Sequence, residues 1–274
     1  MALSVATNTS AATAHRYLKA NDMEASRSLA KLSSGSRIVR ASDDAASLAV
    51  GTKLKSDVNA LRQAQVNASH GSSVLQVADG ALQQVSDILI RMKALATQAV
   101  TGSISDTERG YLDSEYGELT SQLEAISVQT KFNGNPLLDG SFDESFAVGT
   151  DAANDQIAVT ITLDVGTGGG LAVDAETLGT SADAELASVA IDLAIETVLS
   201  ARSTLGAQMS RFDFVSANLA TSVENIDAAR STLMDVDVAA EMANYSSKQV
   251  VMQASVAMLA QANQMPQNLL KLLG

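Results

Sequence analysis

The sequence has no cysteine and no tryptophan, only two prolines and two histidines, and 3% aromatic residues. Without cysteine, the chain cannot form disulfides, thiolate metal sites or a thiol nucleophile. The two histidines, His15 and His70, lie far apart and lack the neighbouring ligands that a metal site needs. Abundant alanine and scarce proline favour long, closely packed helices. We expect no metal, no cofactor and no enzymatic activity.

Basic residues are missing from the middle of the chain. The net charge is −13, and between Phe132 and Ala201 there are twelve acidic residues but no lysine or arginine. Because nucleic acids bind to basic surfaces, this distribution argues against a nucleic-acid partner. Residues 1–40, in contrast, carry six basic and two acidic side chains.

Signals for secretion or membrane insertion are also lacking. The first residues lack the basic start, the long apolar core and the cleavage site of a signal peptide, so we expect no cleaved signal peptide. Residues 246–270 carry a single charge but many glutamine and asparagine side chains, which would be costly in lipid. We therefore expect no membrane insertion.

A seven-residue repeat is the clearest pattern present. It predicts a coiled-coil-like helix of about 57 residues, roughly 85 Å long. Its two apolar rows are Leu54, Leu61, Ala68, Leu75, Leu82, Leu89 and Ala96, and Ala64, Gly71, Ala78, Val85, Met92 and Ala99.

Two further helices show similar rows of apolar residues, one from Leu112 to Ile126 and one from Ile191 to Leu233. Three such helices, well separated in sequence, predict a bundle built from both ends of the chain. Ser105 and Glu108 have the spacing of a capping box before the second helix.

Residues 156–164 alternate between polar and apolar types and predict a strand, with which residues 145–149 can pair as a hairpin. The glycine-rich run at 166–170 lacks the Lys-Ser/Thr of a phosphate loop, so we interpret it as a flexible surface linker.

Both ends of the chain are poor in charge and carry apolar residues on more than one helical face. Ordering some 40 residues costs on the order of 60 kcal/mol of conformational entropy, which an isolated terminus cannot offset. We therefore expect the termini to be ordered only in an oligomer, which points to polymerisation.

The stretch 32–51 contains two arginines, Arg37 and Arg40, followed by Asp43 and Asp44. It predicts a helix start, capped by Ser42 or Asp43, where the helix dipole favours acidic side chains. Local ion pairs account for these charges in one interpretation. In the other, the turn is a joint whose charges face adjacent subunits. Catalysis is disfavoured because the aspartates have no nucleophile or base beside them.

Five separated blocks together resemble bacterial flagellin, and more loosely the short flagellins of alphaproteobacteria. The resemblance covers residues 1 to about 163 and 185–274. The blocks are KLSSGSRIVRASDDAASLAVG (31–51), QTKFNG (129–134), RSTLGAQMSRF (202–212), NIDAARSTLMDVDVAAE (225–241) and LAQANQMPQNLLKLL (259–273).

The resemblance implies a structural subunit that self-polymerises into the hollow helical filament of the flagellum, the propeller for swimming. It implies a mainly α fold: a long antiparallel coiled-coil bundle of both chain ends, with a small β-hairpin region in the middle. Residues 1–41 and 235–274 would form an inner terminal-helix domain, and 42–163 with 185–234 the helical bundle. A short acidic linker, 164–184, would replace the family's outer domains.

The resemblance also implies partners and contacts. The subunit would leave the cell by the flagellar type III route, meet an export chaperone and the filament cap and junction proteins, and end in the extracellular filament. In some flagellins an innate immune receptor contacts the positions that match Arg91, Leu95 and Glu118; here Ala94 replaces an acidic residue of recognised members and the spacing from Glu118 to QTKFNG is shorter, which argues against recognition. The expected subunit interface comprises Leu3, Leu18, Leu29, Leu32, Arg37, Arg40, Asp43, Asp44, Met242, Val250, Met252, Leu259, Leu269 and Leu270.

Other interpretations remain open at this point. A hook–filament junction protein shares terminal helices of this style, and a cytoplasmic coiled-coil signalling module shares the composition. A metalloprotease insert is disfavoured because neither histidine has an H-E-x-x-H context. Asp235 and Asp237 lack the remaining ligands of a calcium loop, so we interpret them as a helix cap.

Overall fold

The computed structural model describes residues 7–151, 153–166 and 170–273, the last eight of these by their backbone alone. The chain forms mainly helices, with a small antiparallel β region in the middle, which confirms the predicted fold class. The elements in chain order are α1 (Thr9–Ser34), α2 (Ala45–Val100), α3 (Asp106–Gln129), β1 (Lys131–Phe132), β2 (Asn135–Pro136), β3 (Phe142–Ala147), β4 (Gln156–Ile161), α4 (Ser181–Met234) and α5 (Val238–Leu273).

The chain divides into two compact units. The first combines Met1–Ser56 with Asn225–Gly274, and the second is Asp57–Glu224. In the first unit α1 packs against α5, and Asn8, which caps α1, and Asn21 of α1 donate hydrogen bonds to α5. Asn8 Nδ2 donates to the Ala262 carbonyl at 2.8 Å, and Asn21 Nδ2 to Ser255 Oγ at 3.1 Å. Because the partners run in opposite order, the two helices are antiparallel.

The second unit is a bundle of α2, α3 and α4. Arg202 Nε lies 2.8 Å from Asp79 Oδ1, and Lys93 Nζ lies 2.6 Å from Asp192 Oδ2. The later residue of α2 thus contacts the earlier residue of α4, so these helices are antiparallel as predicted.

The heptad residues of α2 form the core of the bundle. From Leu61 to Ala99 every residue of the two predicted rows is buried, whereas Leu54 is half-buried. They pack with buried residues of α3 and α4, among them Leu123, Ile191 and Phe212. The small members of the rows permit close approach, since Phe212 lies directly over Gly71.

The starts of α3 and α5 follow the predicted capping chemistry. Ser105 Oγ accepts from the Glu108 amide at 3.4 Å, and the Glu108 carboxylate accepts from the Ser105 amide at 2.8 Å, which completes a capping box. Asp237 Oδ1 accepts from the amides of Ala239 and Ala240, which confirms the predicted cap of α5.

The β region consists of two short antiparallel pairs. Strand β3 pairs with β4, with Phe142 opposite Ile161, and the alternating apolar residues of β4 face the core as predicted. Strands β1 and β2 join through Asn133 and Gly134, which both have positive φ (50° and 88°). An Asn-Gly pair suits such a tight hairpin because both residues tolerate that conformation.

The segment between β4 and α4 differs from a free surface linker. Val165, Leu171, Val173 and Leu178 are all buried in the core of the bundle. The acidic residues and glycines of this segment favoured a linker, but the apolar residues between them pack in the core. The glycine run at 167–169 itself lies outside the described residues.

Candidate assembly surfaces

The α1–α5 pair leaves many of its apolar side chains in solvent. Helix α1 buries only Ala25 and Ser28 among its 26 residues. A helix pair that exposes this much apolar surface requires neighbours. The exposed large apolar residues of the two helices are Tyr17, Met23, Leu29, Val238, Met242, Val250, Val251, Val256, Met258 and Met265.

Two grooves run along this pair. One, of about 770 Å³, is lined by Leu18, Met252 and Val256 together with polar residues. The other, of about 820 Å³, is lined by Tyr17 and Val250 among others. The structure thus brings the predicted residues Leu18 and Met252 together in one groove and places Val250 in the other. A groove of this type is suited to receive the side chains of another helix.

The remaining predicted apolar positions vary in exposure. Leu29 and Met242 are exposed, whereas Leu32 and Leu259 are half-buried. Tyr17 and Met258 line the same groove as Val250 but are absent from the predicted interface. Leu3 lies outside the described residues, and the side chains of Leu269 and Leu270 lie outside the described part of α5.

The turn between α1 and α2 is bound to the turn between α4 and α5. The Arg37 amide donates to the Met234 carbonyl at 2.6 Å, and Arg37 Nη2 donates to the Leu233 carbonyl at 2.9 Å. The Val236 amide donates to the Gly35 carbonyl at 3.1 Å, and Gly35 has a φ of 68°. Glycine adopts this left-handed conformation without strain, so it ends α1 and lets the chain turn.

The paired aspartates organise the start of α2. Asp44 Oδ1 accepts from the Ser47 amide at 3.0 Å, so Asp44 is the cap, and the expectation of Ser42 or Asp43 was wrong. Asp43 Oδ2 instead accepts from the Arg40 amide at 3.0 Å and closes the preceding turn. These hydrogen bonds hold the pKa of each carboxyl below its usual range, chiefly through the Arg40 amide for Asp43 and through Ser47 for Asp44.

The arginines of this turn stay in solvent. Arg37 and Arg40 are exposed, and among the described residues neither guanidinium lies within salt-bridge distance of a carboxylate. Instead of a close ion pair with Asp43 or Asp44, the Arg37 guanidinium donates to the Leu233 carbonyl, and the two aspartates accept from backbone amides.

The three residues that match the family's immune-receptor positions lie in different environments. Leu95 is only 2% exposed and packs in the core, so it offers no surface to a receptor in this conformation. Glu118 is exposed, and Arg91 Nη2 lies 2.6 Å from Glu115 Oε1. The heptad position of Leu95 beside Met92 and Ala96 already explains its burial.

Neither a metal site nor a membrane-spanning helix is found among the described residues. Within 7–151, 153–166 and 170–273, no group of three or more histidine or acidic side chains is placed to hold a metal ion. No helix in that part of the chain is long and apolar enough to cross a membrane.

Comparison with known protein families decides the identity. The profile described as "Bacterial flagellin N-terminal helical region" matches residues 5–143, and that described as "Bacterial flagellin C-terminal helical region" matches residues 189–273. The chain belongs to the bacterial flagellin family.

Two similar proteins match this chain over nearly its whole length, and a solved structure matches more than half of it. A flagellin of Halalkalibacterium halodurans is 38% identical over 97% of this chain and 98% of its own. The flagellar filament 33 kDa core protein of Treponema phagedenis is 35% identical, with the same coverage of both chains. The crystal structure of Bacillus cereus flagellin is 32% identical with a TM-score of 0.51, and the match covers 60% of this chain and 94% of that one.

This flagellin is thus a structural subunit of the extracellular flagellar filament and not an enzyme. Its relatives support self-assembly into a filament. They do not support a junction protein or a cytoplasmic signalling module.

Proposed function

We propose that α1 and α5 form the inner assembly layer of the filament and that their exposed apolar faces are the main contacts between subunits. The observation that carries this proposal is the pair of apolar grooves along the two helices, with Leu18 and Met252 in one and Val250 in the other. Burial of such surface contributes about 25 cal/mol per Å², so repeated contacts along a filament are strongly stabilising.

The domain assignment follows from the same idea. Residues 1–41 and 235–274 act as the inner domain, and 42–163 with 185–234 act as the surrounding bundle. Residues 164–184 take the position at which other flagellins insert outer domains. The subunit therefore presents its bundle and the acidic segment to the outside of the filament.

The proposed contacts in the inner domain and in the turn next to it differ in their chemistry. Arg37 and Arg40 are exposed cations at the turn after α1, where they can meet carboxylates of a neighbouring subunit. Asp43 and Asp44 are engaged with backbone amides and so act by shaping that turn. The apolar positions are Leu3, Leu18, Leu29, Leu32, Met242, Val250, Met252, Leu259, Leu269 and Leu270.

The route to the filament remains a proposal as well. Export unfolded through the flagellar type III channel suits a chain without cysteine, because no disulfide has to form or break on the way. We expect the apolar end of α5 to be held by an export chaperone before secretion and the growing filament to carry a cap protein. An origin in alphaproteobacteria stays a prediction, since the relatives described above come from other bacteria.

Elongation of seeds tests the role of the termini. Purified monomer is mixed with short sheared filaments, and the products are measured by negative-stain electron microscopy. The intact chain should give long filaments, whereas a chain without residues 1–40 should leave the seeds at their initial length. Elongation by the truncated chain would refute the proposal, as would a discrete small oligomer formed by the intact chain. Circular dichroism of the truncated chain controls for loss of the bundle.

A further inference from the structure

Phe214 is the most exposed large apolar side chain described, with 77% of its surface in solvent. It lies on α4, in the second unit, and borders a shallow groove with Val215 and Leu219. Arg211 precedes it by one helical turn and is also exposed. Among the described residues, Arg211 has no carboxylate within salt-bridge distance. An exposed aromatic beside a free guanidinium is the composition typical of interface hot spots.

A complementary groove lies on the same unit between β4 and α4. Its volume is about 510 Å³, and its apolar walls include Ile161, Leu163 and Leu193. Glu196 lines it, is exposed, and forms no ion pair among the described residues. The groove belongs mostly to the stretch between Phe132 and Ala201, which contains no basic residue. It therefore combines apolar walls and several threonine hydroxyls with one carboxylate, that of Glu196, which is opposite in charge to Arg211.

The geometry of a filament decides between two ways of using these surfaces. If the Phe214 patch met the same patch on a second copy, the contact would be two-fold and would close a dimer. An open filament instead needs two different surfaces that fit each other from one copy to the next. Because Phe214 follows the groove residues by about 15 positions on α4, the two surfaces are staggered by roughly 20 Å along the helix.

We propose that Phe214 of each subunit inserts into the groove between β4 and α4 of a neighbouring copy, and that Arg211 there pairs with Glu196 of that copy. This contact lies outside the terminal helices and adds a second, bundle-to-bundle connection. The proposal rests on assembly of the chain into filaments, which elongation of the parent chain on seeds reports separately.

Disulfide trapping tests the proximity directly, because the parent chain has no cysteine. Monomers with Phe214→Cys and monomers with Ser200→Cys, a substitution in the groove, are mixed, polymerised on seeds and treated with a thiol oxidant. Non-reducing gels should show a covalent dimer from filaments and none from the unpolymerised mixture. The matched control replaces Ser200→Cys by Ser114→Cys, at an exposed serine of α3 that lines neither groove. Filaments without the dimer, or with equal dimer in the control, would overturn the proposal.

Charge reversal tests the ion pair independently of the cysteines. Arg211→Glu and Glu196→Arg should each raise the monomer concentration needed for elongation by about 10-fold. The double variant restores opposite charges across every contact and should return to within about 3-fold of the parent. A double variant as weak as the two single changes combined would refute the pairing. Thermal unfolding of the monomers controls for the fold, since both side chains are exposed.

Discussion

At the scale of single residues, Gly71 of α2 and Phe212 of α4 pack closely against each other in the bundle. A Cβ built on Gly71 would lie 2.6 Å from Phe212 Cζ, far inside the van der Waals distance. Phe212 is among the most fully buried side chains, so its ring cannot move into solvent. The absence of a side chain at Gly71 therefore sets how near the two helices come.

Gly71→Ala should lower the free energy of unfolding of the bundle by about 1–3 kcal/mol through overpacking. Gly80→Ala is the matched control on the same helix, because a Cβ there meets no atom within 4 Å. That control should raise stability by roughly 0.8–1.0 kcal/mol, since alanine has the higher helix propensity. Urea unfolding of both variants measures the difference. Equal effects of the two substitutions would contradict the packing argument.

Tyr116 is a second residue whose role depends on burial. Its hydroxyl donates to the Val173 carbonyl at 2.9 Å, and thereby ties α3 to the acidic segment before α4. Burial, followed by the nearby carboxylates beginning with Glu176, raises the pKa of Tyr116 to about 12.

Tyr116→Phe should lower the free energy of unfolding by about 1–2 kcal/mol, because the buried Val173 carbonyl loses its donor. The raised pKa adds a second signature. The neutral phenol contributes fully to the free energy of unfolding at pH values below 10, the usual pKa of tyrosine. This contribution is lost as pH rises through the folded-state pKa of about 12. The parent should therefore lose more stability than the variant across this alkaline range in urea titrations. Parallel curves for the two proteins would count against the assignment.

At the scale of elements, the start of α2 depends on two carboxylates that bind backbone amides. Asp44 caps the helix and Asp43 closes the turn before it, and the amides that donate to them favour the ionised form of both carboxyls. Their pKa values are lowered in the folded chain, which makes the stability of this turn depend on pH. The contribution of each carboxylate to stability is present at pH values above 3.8, the usual pKa of aspartate. It is lost as pH falls through the lower pKa of the folded chain.

Asp44→Asn keeps the capping hydrogen bond but removes the negative charge, because asparagine caps helices about as well as aspartate but does not titrate. Near neutral pH the variant should differ little in thermal stability from the parent. From about pH 5 to about pH 2 its stability should fall less steeply than that of the parent. Circular dichroism melts over this range measure the slope. An unchanged slope would show that the Asp44 carboxylate contributes nothing to the acid response.

At the scale of the whole molecule, the two units divide their apolar surface unequally. The bundle buries long rows of side chains within itself, whereas the α1–α5 pair keeps many of its apolar residues in solvent. Surface of this kind is stabilised only when another molecule covers it. We therefore expect folding of the terminal helices and growth of the filament to be coupled.

Val250→Asp should abolish or strongly slow elongation of seeds, because it would bury an unpaired charge in the groove where Val250 lies. Its effect on unfolding of the isolated monomer should stay within about 0.5 kcal/mol, since Val250 is exposed there. Val250→Leu, which keeps the apolar surface, is the control and should still elongate. Light scattering after addition of seeds measures both, and normal growth of the aspartate variant would contradict the proposed interface.

The sequence by itself determined the elements and their buried faces. The heptad rows of α2, the alternation in β4 and the Ser105–Glu108 capping box all appear in the structure where they were predicted. Such patterns are readable because the periods of helices and strands are local properties of the backbone. The five motif blocks likewise indicated the family before any fold was known.

Only the tertiary structure decided which residues meet across elements. It showed that Asp44 rather than Ser42 caps α2, that Leu171 and Leu178 of the acidic segment belong to the core, and that Leu95 is inaccessible. Those outcomes depend on which backbone groups and side chains the folded chain brings within hydrogen-bonding or packing distance. Contacts between residues far apart in sequence do not follow the helix or strand period, so composition and spacing do not predict them directly.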